Sequence, residues 1–196
     1  MSARPDPDSL LDAYSRGVFP MADPDGTIDW YTADPRGIIE LGSAGFHVPR
    51  TLRALLRQGR FQIRINHDFA GVMRACMATR SKRTWINEEL IAAYVTLHEM
   101  GHAHSVEAWA DGELAGGLYG VSLGGAFFGE SMFHHRPDAS KVALVALVER
   151  LRERGYELLD TQTSSEHLKR FGGIEIAEEE YLRRLKKALA KECTFA

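Results

Sequence analysis

Cysteine is scarce in this chain. Cys76 and Cys193 alone cannot build a disulfide framework or a four-cysteine zinc site, which points to a reducing compartment. Long apolar runs are missing as well. The longest, Val142 to Val148, falls far short of the roughly 18 residues of a membrane helix and reads as buried helix instead. The first residues, MSARPDPDSLLDAYSRG, are acidic without an apolar stretch, so no secretory leader is expected. There is no internal repeat and no low-complexity linker. At 44% hydrophobic and 26% charged over 196 residues, the composition is that of one globular domain, or one with a small appendage. A soluble cytoplasmic protein is the expectation.

Acidic residues are missing from one stretch in particular. The net charge of −3 argues on its face against a nucleic-acid partner, yet it conceals a polarity. Residues 1–49 hold 3 basic and 8 acidic groups, and residues 84–196 hold 12 and 18. Residues 50–83 carry 9 basic groups (Arg50, Arg53, Arg57, Arg60, Arg64, Arg74, Arg80, Lys82, Arg83) against Asp68 alone, a net +8. At helical spacing Arg50, Arg53 and Arg57 fall within about 60° of one another, opposite Leu52, Leu55 and Leu56. A merely solvated face would interleave acids to pair the arginines. None lies between Arg50 and Asp68, so this stripe, with Arg60 just beyond, is expected to contact phosphates.

The hydrophobic periodicity predicts a turn-rich start with a helix near Ser9–Ser15 and strands at Ile28–Tyr31 and Ile38–Leu41, forming a small N-terminal lobe over residues 1–45. Over residues 46–196 it predicts a helix opened by Pro49 and closed by Gly59, and a strand at Phe61–Ile65. Helices at Asp68–Ala78 and Asn87–Met100 follow. Three strands come next, Ala103–Ala110, Leu114–Val121 and Gly124 to Phe133, the first two joined by an Asp111-Gly112 hairpin turn. A buried helix at Ser140–Arg154, a strand at Leu158–Thr161, a short helix at Ser165–Phe171, a strand at Ile174–Ile176 and an amphipathic helix at Glu178–Lys191 close the chain. The order reads as an α+β domain with a mixed, largely antiparallel sheet.

Several residues carry candidate chemistry. His98-Glu99-Met100-Gly101-His102 matches the H-E-x-x-H zinc signature. Gly101, however, ends the helix there and takes His102 off the face of His98, so no metal site is expected. Alternation puts Glu130 on one strand face with Phe128 and Met132. A carboxylate among such neighbours must be paired, protonated or functional, a buried salt bridge being the plain alternative. Asp160 and Gln162 project to one side at a strand's C-terminal end, where the carboxylate can accept from the amide NH₂; a helix cap is the plain alternative. Trp30 and Trp85 lie beside polar, basic or turn-rich sequence, where stacking on a base is plausible, with core packing the default.

Taken together, Tyr14-Ser-Arg-Gly-Val-Phe-Pro-Met21, Trp30-Tyr31, Asp34-Pro-Arg-Gly37, Phe46-His-Val48, Thr84-Trp-Ile86, Gly101-His-Ala-His-Ser-Val-Glu107, Gly116-Gly-Leu-Tyr-Gly-Val121, Phe128-Gly-Glu-Ser-Met-Phe133, Ala139-Ser-Lys141 and Asp160-Thr-Gln162 span nearly the whole chain in order. On these the chain resembles the leucyl/phenylalanyl-tRNA–protein transferases. The resemblance implies a GNAT-like acyltransferase domain behind the lobe. It also implies transfer of Leu or Phe, and Met less well, from aminoacyl-tRNA to a protein beginning with Arg or Lys, which marks that protein for N-end-rule degradation. No cofactor is implied, and a monomer is expected. It further implies Asp160 and Gln162 at the reacting centre and Glu130 holding the incoming cation. An amino-acid pocket of Leu118, Met132, Leu144 and Leu147 is expected, with Trp30 and Trp85 at the 3′-terminal adenosine. A coenzyme A-dependent acetyltransferase is the rival, but the connection His134–Ser140 lacks the glycines of a pyrophosphate loop.

Overall fold

The computed structural model describes residues 5–79 and 84–196, so Arg80, Lys82 and Arg83 of the basic stretch lie outside the described residues. Helix α1 (Pro7–Ser15), capped by Asp6 accepting from the Ser9 N–H, leads into a hairpin of β1 (Phe19–Ala22) and β2 (Ile28–Tyr31). Strand β3 (Arg36–Glu40) follows, then α2 (Arg50–Arg57), β4 (Gln62–Ile65), α3 (Phe69–Thr79) and α4 (Glu88–Glu99). Three long strands come next, β5 (Ala103–Ala110), β6 (Glu113–Leu123) and β7 (Ala126–His134). The chain then forms α5 (Ala139–Glu153), β8 (Leu158–Gln162), the short α6 (Glu166–Lys169), β9 (Gly173–Ile176) and α7 (Glu178–Leu189).

Seven strands form one sheet in the order β4-β5-β6-β7-β8-β3-β9, antiparallel throughout except for the β7–β8 pair. The expected α+β class and the sequential β5–β6–β7 meander are both present. Residues 1–45 divide differently from expectation. The β1–β2 hairpin stands apart, but β3 is hydrogen-bonded inside the large sheet between β8 and β9. Its Ile38 and Ile39 are buried, and two buried faces require neighbours that a small lobe cannot supply.

Each face of the sheet carries its own core. Tyr119, Val121 and Phe128 pack with residues of α1, α3, α4 and α7 on one side. Leu118, Phe127 and Leu159 pack with α5 and Leu52 of α2 on the other. The near-continuous apolar surface of α5, with nine of its fifteen residues buried, follows from lying in the middle of that second layer. At α4, Asn87 caps the start by accepting from the Leu90 N–H, and Gly101, with φ of 83°, stops it.

One irregularity breaks the alternation expected in β7. Tyr119 pairs with Ser131 and Gly120 with Gly129, so Glu130 is the extra residue of a β-bulge. The bulge reverses the phase of the strand: Phe128 and Phe133 both face the α1 side, whereas Met132 faces α5. Met132 therefore does not share the face of Phe128, as simple alternation requires. Gly120 permits the close approach, because a Cβ there would lie 2.2 Å from the Phe128 carbonyl oxygen.

Candidate functional site

The parallel strands β7 and β8 stay paired for only three register positions, Ala126–Leu158 to Phe128–Asp160. Beyond them Gly129–Met132 and Thr161–Thr163 form opposite walls of a cavity of about 400 Å³. The cavity draws on both cores. Leu118, Met132, Leu144, Leu147 and Leu159 contribute apolar wall from the α5 side, and Phe19, Met21, Tyr31 and Trp85 from the hairpin side. All four residues expected to form an apolar pocket are in this wall. Two further wall atoms, Ser131 Oγ and His167 Nε2, are buried and without a hydrogen-bond partner among the described residues.

The bulge at Glu130 turns its carboxylate into the gap. Its Oε1 accepts from the Tyr14 hydroxyl at 2.8 Å and from Gln162 Nε2 at 2.7 Å, and Tyr14 in turn shares a short hydrogen bond with Tyr94. Burial pushes the Glu130 carboxyl up to about 8, and the nearby charge of Asp160 pushes the same way. Donation from Tyr14 and Gln162 and the charge of Arg36 pull partly back. Burial also holds Tyr14 and Tyr94 well above the usual phenol range, so both remain donors.

Asp160, fully buried, is ion-paired with the equally buried Arg36. Its Oδ1 accepts from Arg36 Nε at 3.0 Å and from the Gln162 backbone N–H at 2.8 Å. Its Oδ2 accepts from Arg36 Nη2 and from the Tyr181 hydroxyl, each at 2.7 Å. Arg36 also donates from Nη1 to the Gly17 carbonyl and lies against the rings of Phe19 and Tyr181. The expected contact between the Asp160 carboxylate and the Gln162 amide group is thus replaced. Asp160 holds the Gln162 backbone, at φ of 56°, and Glu130 holds its side chain. A left-handed residue ends the strand's alternation, which is why the two side chains do not meet.

The remaining candidates fall elsewhere. Trp85 is in the cavity wall, but Trp30 is 43% exposed on β2, whose next residue, Tyr31, faces the cavity in its place. Arg50, Arg53, Arg57 and Arg60 are exposed along α2 and just past it, with Leu52 buried beneath. None of them lines the cavity. His98 stacks on Phe69 and hydrogen-bonds the Ala103 carbonyl, and His102 lies beyond the helix end. Among the described residues no cluster of His, Cys, Asp or Glu is arranged to hold a metal. Spacing along the chain does not mark Tyr14, Arg36, Tyr94 or Tyr181 as site residues. Tyr14 and Arg36 stand inside the motif segments that carry the family resemblance, but nothing local marks an arginine whose carboxylate lies 124 positions away.

Residues 39–186 match the family model described as leucyl/phenylalanyl-tRNA protein transferase, and residues 3–34 the model of its N-terminal domain. The chain belongs to the leucyl/phenylalanyl-tRNA protein transferase family. A relative of that name from Rubrobacter xylanophilus is 56% identical over 97% of this chain and 98% of its own length, and one from Gloeobacter violaceus is 54% identical over 96% of each. The fold alone is shared with the structure of L-PGS from Bacillus licheniformis, which matches 95% of this chain and 71% of that one with a TM-score of 0.50 at 10% identity. The gap between the two transferase-family matches, residues 35–38, takes in the first half of β3, the strand through which the chain passes from the hairpin into the sheet. No helix among the described residues is long and apolar enough to cross a membrane.

Proposed function

We propose that this protein transfers Leu or Phe, and Met less readily, from aminoacyl-tRNA to the N-terminal Arg or Lys of an acceptor protein. In this reading it acts as a cytoplasmic monomer without a cofactor, and the modified acceptor is marked for N-end-rule degradation. The observation that carries the reading is the cavity at the β7–β8 split, apolar on its α5 wall and lined also by the hydrogen-bonded pair Glu130 and Gln162, in a chain of this family.

The chemistry asks little beyond positioning. The aminoacyl ester is already activated, so the enzyme must hold ester and amine in attack geometry and manage the amine's protons. The leucine-rich wall of Leu118, Met132, Leu144 and Leu147 receives the side chain of the transferred residue. Such a wall separates Leu from Met weakly, one methylene being worth only about 1–3 kcal/mol. Trp85 stacks on the 3′-terminal adenosine, and Trp30, exposed on the hairpin, meets the RNA outside the cavity. Ser131 and His167 supply hydrogen bonds to the polar part of the donor, since an unpaired buried polar atom costs about 1–3 kcal/mol until a ligand pairs it. Arg50, Arg53, Arg57 and Arg60 follow the tRNA backbone. Glu130 receives the cationic N-terminus of the acceptor, and Gln162 fixes its approach. The testing experiment is transfer of labelled Leu from charged tRNA to an Arg-ended peptide. Acetyl transfer from acetyl-CoA to the same peptide would favour the rival reading instead.

A further inference from the structure

The acceptor arrives as an ammonium group. It must give up one proton before its lone pair can attack the ester carbonyl carbon, and a second as the amide forms. As the C–N bond forms and the C–O bond to the ribose breaks, the ribose oxygen takes one proton and solvent receives the other. Among the described residues two buried carboxylates, Glu130 and Asp160, lie on the strands that part at the cavity, and their surroundings differ sharply.

Asp160 has no capacity for it. Each of its oxygens already accepts two donors, from Arg36, Tyr181 and the Gln162 backbone, and both members of the Arg36–Asp160 pair are out of solvent contact. Neutralising it would strand a buried guanidinium. Glu130 is in the cavity wall, and among the described residues no cation is hydrogen-bonded to it: the Arg36 fork is committed to Asp160. The groups that face it are the Tyr14 hydroxyl from α1, Tyr94 from α4, the Gln162 amide and the locked Asp160 from β8, and Arg36 from β3. Of these, the tyrosines stay protonated and the amide is neutral.

We propose that Glu130 is the group that takes the proton from the attacking ammonium and later releases it to solvent, the second N–H proton going to the leaving ribose oxygen, and that Asp160 is a positioning residue acting through the Gln162 backbone. The inference rests on the aminoacyl-transfer reading above. A carboxyl that titrates near 8 in the free protein is matched to that task, because an efficient base titrates near the working pH. Gln162 then has a defined part: Asp160 clamps its left-handed backbone, which aims its amide at Glu130 and leaves that carboxylate oriented toward the amine.

The test uses the full chain, charged tRNA and two Arg-bearing acceptors, one with its natural α-amine and one with an aminooxy group in its place. The aminooxy nucleophile is unprotonated at neutral pH and needs no base before attack. Glu130→Gln is expected to lower kcat about 10²–10⁴-fold with the amine and far less with the aminooxy acceptor. Glu130→Asp, which keeps a carboxylate, brings the ratio between the two acceptors back toward wild type. Asp160→Asn is expected to slow both acceptors by the same factor, because a misplaced Gln162 harms both. Equal losses for Glu130→Gln with the two acceptors, or a selective loss with the amine for Asp160→Asn, overturn the assignment. An inactive wild type would instead remove the transfer reading itself.

Discussion

Gln162 donates its amide to Glu130 at 2.7 Å across the gap where β7 and β8 part company. This bond joins the bulge of one strand to the left-handed terminus of the other, so two local departures from strand geometry produce one site. Both departures have identifiable supports: Gly120 allows the bulge to approach, and Asp160 holds the Gln162 backbone. Gly37 adds a third, because a Cβ there would press within 2.6 Å of the Thr163 backbone just beyond.

Glu130 makes stability depend on pH in a definite direction. Its carboxyl titrates at about 8 in the fold against 4.5 ordinarily, so between those values the folded state binds more protons than the unfolded one. The contribution is complete below pH 4.5 and is lost as pH rises through 8. Thermal melts of Glu130→Gln should therefore fall less steeply than wild type over this window, with the variant gaining most at pH 8. Parallel curves for the two proteins would contradict the assignment.

Arg36→Ala leaves the buried Asp160 carboxylate without its partner, a change worth about 3–5 kcal/mol. In a domain of this size each kcal/mol moves Tm by roughly 2–4 °C, so calorimetry should record a drop of the order of 10 °C. A shift of no more than a degree or two would show that the pair is not formed.

Met132→Ala enlarges the apolar wall at a half-buried position. Leu loses contacts that the larger Phe retains, so the ratio of kcat/KM for Phe over Leu should rise about tenfold, within the range one or two methylenes command. An unchanged ratio would place the transferred side chain elsewhere.

Much of this arrangement was legible in the sequence, and what was not has a common cause. The leucine stripe under α2, the buried α5 and the strand order follow from periodicity, which is a local signal. The apolar wall was legible because Leu144 and Leu147 fall on one face of a recognisable helix. The partners of the charged groups were not. Asp160 and Gln162 look adjacent by alternation, yet the φ of 56° at Gln162 turns one away from the other. Met132 looks like a neighbour of Phe128 until the bulge reverses the strand. Arg36, Tyr14 and Tyr181 join the site only through long-range pairing, which spacing along the chain does not encode.

Replacing Arg50, Arg53 and Arg57 together should weaken tRNA binding. It should also lower the slope of log affinity against log salt by up to about 0.9 per lost phosphate contact, as read by a filter or fluorescence titration across salt concentrations. An unchanged slope would return the stripe on α2 to an ordinary solvated face.

The most direct measurement is transfer by the wild-type chain from charged tRNA to a defined peptide. Labelled Leu carried on tRNA is offered with a peptide beginning with Arg and with the same peptide beginning with an acidic residue. The account predicts a labelled Arg-ended peptide, little label on the acidic one, and loss of the signal in Glu130→Gln. Label on both peptides alike, or on neither, would contradict it.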